Sequence, residues 1–376
     1  MSRPLTHEQA EVWSLATRGP WPIRDGSCSD KDWMSLALTE ATRGVGLSSP
    51  NPPVGCVITK DNRLLGQGVH LQAGQPHAEV LAIQGALQAG EDLRGSTAYI
   101  TLEPCCHVGR TPPCTDALTQ AGIRRVVIGA MDLNPRVNGG GVAILKSAGL
   151  DVVTGVLEKE CVGFHEPFFK WVQTGRPWVT AKLAIGSDRG VGVAEAITSK
   201  KTQDLAHALR RVSDAIMVGS ETIRVDNPQL TDRWPTPTEG HRIFNRIVMV
   251  GQKPISERSA VFQFSSRHNV FRISTTKLAP QEHIIDIVVP PDVEGRPSLP
   301  HALVELGGRN ITRLLLEGGP TLTQKALDQK LVDEVHLIHS PKLGGGPIFQ
   351  PLRASWEEYY NYSCGHDRWA VHRQER

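Results

Sequence analysis

The sequence lacks an excess of charge of either sign. Its 41 Lys and Arg nearly balance 39 Asp and Glu, leaving a formal charge of +2. No basic field spans the chain, so a dedicated nucleic-acid binder is not expected. Aromatic residues make up only 5%, with four Tyr, and no base-stacking platform is evident. No apolar run approaches the ~18 residues of a membrane span. The opening residues, MSRPLTHEQAEVWS, carry no apolar stretch of a secretory leader. A cytoplasmic protein without membrane partners is the expectation. The Gly-x-Gly-x-x-Gly fingerprint of a Rossmann domain is also missing. Seven cysteines, an odd number without an export signal, weigh against a disulfide framework.

What is present is an ordinary globular composition, 39% apolar and 21% charged, over 376 residues. A single core stops growing near ~250–300 residues, so two domains are expected. Residues 1–30 read as a polar extension with turn formers such as Arg18-Gly19-Pro20. From Asp32 an apolar pattern of helical spacing (Trp33, Met34, Leu36, Ala37, Leu38, Ala41) leads to a hairpin, Val54–Thr59 and Leu64–His70. A helix is expected from His77 to a stop at Gly90, then strand 98–102, helix 115–121, strand 125–130, helix 142–148 and strand 152–156. Residues 160–177 change character and end in Gly175-Arg176-Pro177, a boundary between domains 31–172 and 173–376. The second half repeats the alternation, with strands at 178–184, 214–219, 247–250, 285–289, 313–316 and 335–339. Helices there fit 200–210, 301–306 and 321–331, and the Pro-rich stretch 232–245 reads as a surface loop. Strands alternating with helices imply an α/β layered fold in both halves.

Cys105, Cys106 and Cys114 cluster within ten residues, and His77-Ala78-Glu79 precedes them at the start of a helix. His77, Cys105 and Cys114 form a soft N/S set suited to Zn²⁺, with a fourth position left for water. Cys106 or His107 could instead complete a purely structural zinc site. Glu79, two residues past His77, can reach that water without being a ligand. Zinc lowers the pKa of water towards ~7, and a carboxylate can ferry the proton to a leaving nitrogen. His-x-Glu followed by Pro-Cys and a second Cys is the signature of zinc nucleobase deaminases. The departure is the long insert, Cys106 to Pro113, whose polar and basic groups suit an anionic substrate.

In the second half, Leu314-Leu315-Leu316 runs into Glu317-Gly318-Gly319-Pro320-Thr321 and a helix. Glycines let backbone N–H groups approach a phosphate, and a helix N-terminus favours its charge. Gly-Gly-Pro is equally a plain strand-to-helix turn, so the signal alone is weak.

Asn51-Pro52-Pro53-Val54-Gly55-Cys56, His77-Ala78-Glu79, Thr101-Leu102-Glu103-Pro104-Cys105-Cys106-His107 and Gly109-Arg110-Thr111-Pro112-Pro113-Cys114 together resemble the bifunctional riboflavin-biosynthesis deaminase–reductases. That family reads PNPxVGCVI, HAE and TLEPCxHxGRTPPC, and its long insert separates it from cytidine and tRNA adenosine deaminases. The resemblance covers residues from about 33 to about 345. It implies a cytidine-deaminase-like, three-layer N-terminal domain, with His77, Cys105 and Cys114 as zinc ligands and Glu79 as proton shuttle. Ser213–Gly219, Asp226–Thr231 and Glu317–Thr321 look like the reductase half, which resembles dihydrofolate reductase and uses NADPH. The resemblance places Ala184, Ala196, Thr222, Asp226, Gly319, Pro320 and Thr321 on the cofactor. It places Ala194, Arg210, Leu230, Arg233 and Glu317 on a small phosphorylated pyrimidine substrate. Two arginines suit a phosphate ester, since each guanidinium offers a planar donor fork.

The chain departs from the family around residues 184–198. The family has Ser and Trp where Ala194 and Ala196 stand, and it has an aspartate after the Ile247–Val250 strand that is missing here. Looser ligand positioning is the expected result. Two other readings remain: a monofunctional zinc nucleotide deaminase with a non-catalytic C-terminal domain, and a zinc-stabilised RNA-binding module. The sequence leaves open whether the chain forms a homo-oligomer.

Overall fold

The computed structural model describes residues 28–109, 111–135, 137–191, 197–232, 244–263, 268–350 and 352–374. Nearly all of the expected N-terminal extension and most of the 232–245 loop lie outside these residues. The chain divides into two compact units, Met1–Thr174 and Gly175–Arg376.

In the first unit, α1 (Asp30–Thr42) begins at Ser29 with a capping box. The Ser29 amide donates to the Asp32 carboxylate at 2.8 Å, and the Ser29 hydroxyl accepts from the Asp32 amide. Two otherwise orphaned donors are thereby satisfied. Strands β1 (Gly55–Lys60) and β2 (Arg63–Val69) form the expected hairpin. Its turn residues Asp61 and Asn62 both have positive φ, the conformation that matches strand twist in a two-residue turn. With β3 (Thr97–Leu102), β4 (Arg125–Ala130) and β5 (Asp151–Thr154) they build a five-stranded sheet in the order β2-β1-β3-β4-β5. β1 is antiparallel to both neighbours, whereas β3, β4 and β5 are parallel.

Helices α2 (Ala78–Gln88), α3 (Cys114–Gln120) and α4 (Gly140–Ser147) cover one face, where Ala82, Leu118 and Leu145 pack on Ile58 and Ile100. The other face carries α1 and α5 (Glu158–Thr174). A Cβ at Gly55 would sit 2.0 Å from the Ala37 carbonyl oxygen, so only glycine lets β1 and α1 touch there. The result is helix, sheet, helix: three layers.

The stretch 160–177, read from sequence as a change of character, is largely α5, a 17-residue helix with Pro167 inside it. Pro inside a helix costs about 3 kcal/mol and hides the helical pattern. Burial of Cys161, Phe164, Phe168 and Phe169 on the sheet offsets that cost.

The second unit holds one nine-stranded sheet in the order β10-β9-β8-β7-β11-β6-β12-β14-β13. The strands are β6 (Trp178–Ile185), β7 (Ala215–Gly219), β8 (Phe244–Met249), β9 (His268–Ser274), β10 (Ile284–Val288), β11 (Arg313–Leu316), β12 (Glu334–His339), β13 (Trp356–Cys364) and β14 (Asp367–Gln374). All pair in parallel except the final hairpin, which adds β14 antiparallel to β12 and then β13. Helices α8 (Leu299–Gly307) and α9 (Pro320–Asp328) cover the face bearing Ala181, Leu183, Met217, Ile247 and Leu337. By the two-residue period of a strand, Lys182 and Ala184 point to the opposite face. That face carries α6 (Lys200–Arg211).

Sequence patterning misses β9, β13, β14 and the short helix α7 (Ser220–Asp226). β13 is an edge strand with a bulge between Glu358 and Tyr360, and most of its residues are exposed. Such a strand has no alternating apolar face to read.

Candidate functional site

Three backbone junctions bring the first site together. His77 is the N-cap of α2, extended at φ −74° and ψ 168°, and its ring makes no capping hydrogen bond. Cys105 follows the end of β3 through Glu103-Pro104. Cys114 is the first residue of α3, entered through Pro113. The His77 Nδ1 atom lies 3.2 Å from Cys114 Sγ and 3.5 Å from Cys105 Sγ. All three ligand atoms fall within 4.8 Å of one another. Tetrahedral Zn–N and Zn–S bonds of about 2.1 and 2.3 Å set N···S separations near 3.6 Å, so the cluster fits zinc. Cys106 and His107 fall outside this cluster, which leaves three protein ligands among the described residues. The Cys106 sulfur packs instead against Gly140, where a Cβ would lie 2.8 Å away.

The site is strongly polarised. Sharing of a proton with the Cys114 thiol, together with His77 and the Cys114 amide, pulls the Cys105 thiol down to about 4. The Cys114 amide donates to the Cys105 sulfur at 3.3 Å. Glu79 is 3% exposed. Burial, and then the charge on Cys105, raises its carboxyl above the ordinary range, and it touches the Cys114 thiol.

Sequence reasoning missed the groups that hold His77. Its Nε2 lies 3.4 Å from the Thr111 hydroxyl, and the His70 ring packs edge-on at 4.9 Å between centroids. His70 is itself fixed between the Asn51 amide at Nε2 and the Pro76 carbonyl at Nδ1. A carbonyl accepts only, so Nδ1 carries the proton. Glu103 is a further unassigned group. Its buried carboxylate accepts from the Gly139 amide at 2.9 Å and the Val142 amide at 3.1 Å, tying the zinc-side strand to the start of α4. The motif positions of Asn51 and Glu103 were visible in the sequence, but their partners are set by tertiary structure. Arg110 lies outside the described residues.

The second site is a cavity of about 290 Å³ on the α6 face of the nine-stranded sheet. Arg210, Leu230 and Glu317, three of the residues implied as substrate contacts, line it. Lys182 of β6 lines it too and was not singled out from sequence. Glu317 accepts from Lys182 Nζ at 2.8 Å and from Arg210 Nε at 2.9 Å. Burial opposes ionisation of Glu317, but the charges of Arg210 and Lys182 prevail and hold its carboxyl at about 2. Among the described lining residues, Lys182 and Arg210 against Glu317 leave the cavity floor net positive. A second nitrogen of Arg210 donates to the Thr231 carbonyl at 2.9 Å.

Next to this lies the Gly-Gly-Pro turn. The Gly319 amide donates to the Thr222 hydroxyl at 3.2 Å, and Pro320 opens α9 with Thr321 behind it. The structure thus joins Thr222 to Gly319-Pro320-Thr321. Asp226 ends α7 in an exposed position. Ala184 shares the Lys182 face of β6 and pairs with Ile338 of β12, another cavity residue. Ala194, Ala196 and Arg233 lie outside the described residues.

Comparison with known proteins agrees with this division. Residues 27–130 match the cytidine and deoxycytidylate deaminase zinc-binding region, and residues 177–356 match the RibD C-terminal domain. The riboflavin biosynthesis protein RibD of Actinobacillus pleuropneumoniae is 38% identical over 327 residues, 85% of either chain. RibD of Escherichia coli is 37% identical over 84% of this chain and 89% of its own. Among solved structures, the Thermotoga maritima diaminohydroxyphosphoribosylaminopyrimidine deaminase/5-amino-6-(5-phosphoribosylamino)uracil reductase superposes with a TM-score of 0.82. It is 32% identical and covers 92% of this chain and 99% of its own. RibD of Acinetobacter baumannii superposes at 0.79 with the same identity and coverage. A zinc-ligand cluster in one unit, a cationic cavity in the next, and this degree of identity across both make the chain a member of the RibD family of riboflavin-biosynthesis proteins.

Proposed function

We propose that this chain catalyses two consecutive steps of riboflavin synthesis: deamination of a diaminopyrimidine ribosylamino phosphate, then reduction of its ribosyl side chain to ribityl. The observation that carries this reading is the presence, in one chain, of the His77–Cys105–Cys114 cluster and the separate cavity floored by Lys182, Arg210 and Glu317. Both sites sit on folds matched by RibD proteins over 85% of the chain in sequence and 92% in structure, which favours two activities over a deaminase with an inert partner domain.

For the first step, His77, Cys105 and Cys114 would hold zinc, which would acidify a water. Glu79 takes up the water proton on its carboxylate and returns it to the departing nitrogen, so water enters and ammonia leaves. Its burial keeps that carboxylate basic enough to accept the proton. Thr111 and His70 fix the ring of His77, and Glu103 holds the strand end that presents Cys105. For the second step, NADPH held by this unit would supply hydride to the ribosylamino carbon in its open imine form, with the proton for the nitrogen taken from solvent. Lys182 and Arg210 offer charge to the phosphorylated substrate, while Glu317 keeps the two cations apart and oriented. Thr222 and the Gly319–Thr321 turn hold the cofactor, the helix start favouring its phosphate. Ala194, Ala196 and Arg233 lie outside the described residues and are assigned to the ligands by the family resemblance alone. No helix among the described residues is long and apolar enough to cross a membrane, and the proposed setting is the cytoplasm.

The test incubates the protein with the diaminopyrimidine substrate, with and without NADPH, and identifies products by mass. Deamination alone without NADPH, and deaminated plus reduced product with it, is the expected result. Supplying the deaminated intermediate directly, with no NADPH oxidised above background, would leave a monofunctional deaminase.

A further inference from the structure

Helix α6 supplies most of one wall of the second cavity through Thr202, Gln203, Ala206, His207 and Arg210. Its C-terminal end is tied down by Arg210 on Glu317. Its N-terminal end is tied to a place far away in sequence, the tip of the β13–β14 hairpin. The Asp367 carboxylate accepts from the Ser199 amide at 2.7 Å and from the Thr202 hydroxyl at 2.6 Å. Ser199 is the N-cap of α6 and Thr202 faces the cavity, so one carboxylate fixes both the helix start and a wall residue. The Cys364 carbonyl lies 3.3 Å from the Ser199 hydroxyl and 3.2 Å from that of Thr202. Thr202 and Asp367 are 1% and 2% exposed, so water does not compete for these bonds.

The turn between the two strands is shaped for this approach. Gly365 has φ +62°, and a Cβ there would meet the Ser199 hydroxyl at 2.7 Å. A side chain at this position would be strained at that φ and would crowd the Ser199 hydroxyl. The match to the RibD C-terminal domain ends at residue 356, where β13 begins, so this hairpin lies beyond it.

We propose that the hairpin tip, through Asp367, is a positioning element of the reductase site that sets where α6 presents His207 and Arg210 to the substrate. Asp367 does not line the cavity and reaches α6 through Ser199 and Thr202, while its other oxygen lies 3.4 Å from His366 Nε2. The inference rests on the reductase reading of the cavity.

The experiment measures NADPH oxidation with the deaminated intermediate in the full-length protein, with deamination as an internal control. Asp367→Asn should raise KM for the intermediate five- to tenfold, change kcat less than twofold and leave deamination unaltered. Thr202→Val should reproduce the KM rise, whereas Thr202→Ser, which keeps the hydroxyl, should retain a near-normal KM. A merely structural role would lower the amount of active protein, and hence apparent kcat, without moving KM. Unmoved KM in both Asp367→Asn and Thr202→Val overturns the inference, whatever kcat does. If Asp367→Asn does not fold, the Thr202 pair decides alone by the same criterion. A wild-type protein that does not oxidise NADPH with the intermediate would instead overturn the reductase reading, and this inference with it.

Discussion

Replacing Glu317 by Gln removes the single anion between Lys182 and Arg210 while keeping the size of the side chain. The size of the effect follows in two independent ways. Each pH unit between folded and unfolded titration is worth about 1.4 kcal/mol. A carboxyl that falls from its ordinary 4.5 to about 2 on folding therefore contributes about 3 kcal/mol at neutral pH. Breaking a buried ion pair costs about 3–5 kcal/mol, since the partners stay buried and uncompensated. The side chains of Glu317, Arg210 and Lys182 are 13%, 16% and 18% exposed, so the lower end of that range applies. Both routes give about 3 kcal/mol, or roughly 6–12 °C in the melting temperature of a unit of this size. The sign with pH is fixed as well. The folded pKa is depressed, so this stability is fully present above about pH 4.5 and is lost as pH falls towards 2. Calorimetry of wild type and Glu317→Gln from pH 7 to pH 3 is the assay. The wild-type transition of the second unit should lie higher at pH 7 and converge with the variant as pH falls. A variant that melts with the wild type at pH 7, or a gap that does not narrow in acid, would refute the account of this cavity.

The zinc cluster gives two further expectations. Cys114→Ser should lose most of the zinc, near one ion per chain in the wild type, whereas Cys106→Ser should retain it; metal analysis decides, and the opposite pattern would mean that the wrong thiol was assigned. Glu79→Gln keeps the side-chain size but cannot carry a proton, so deamination should fall at least ~10²-fold with zinc content and NADPH oxidation unchanged. Normal deamination by that variant would make Glu79 structural.

Much of the deaminase site was legible because its chemistry is local. His77 and Glu79 are two residues apart, and Cys105 and Cys114 sit at element boundaries marked by proline, so residue type and spacing already bring the ligands near one another. The hairpin, the parallel strands and the starts of α1 to α4 in that unit were equally readable, since turn formers and apolar spacing mark them. The second unit was harder. Lys182 becomes a site residue only because β6 pairs between β11 and β12, which carries it to the cavity beside Glu317, 135 residues away. The Thr222–Gly319 contact spans 97 residues and leaves no local trace. β13 and β14 escaped because an edge hairpin needs no apolar alternation, and α5 because Pro167 interrupts its pattern.

The division of the chain after Thr174 has a genetic consequence. Every residue assigned to deamination precedes that point, and every residue assigned to reduction follows it, with the Asp367 clamp inside the second unit as well. Among the described residues, the groups assigned to each step belong to one unit. Two defective alleles, one carrying Glu79→Gln and the other Glu317→Gln, should therefore complement when expressed together in a riboflavin-requiring host, because each product still carries the function that the other has lost. Two alleles damaged in the same unit, Glu79→Gln with Cys114→Ser, should not. The locus would score as two complementation groups on one reading frame, with the map boundary between them falling at the junction of Thr174 and Gly175.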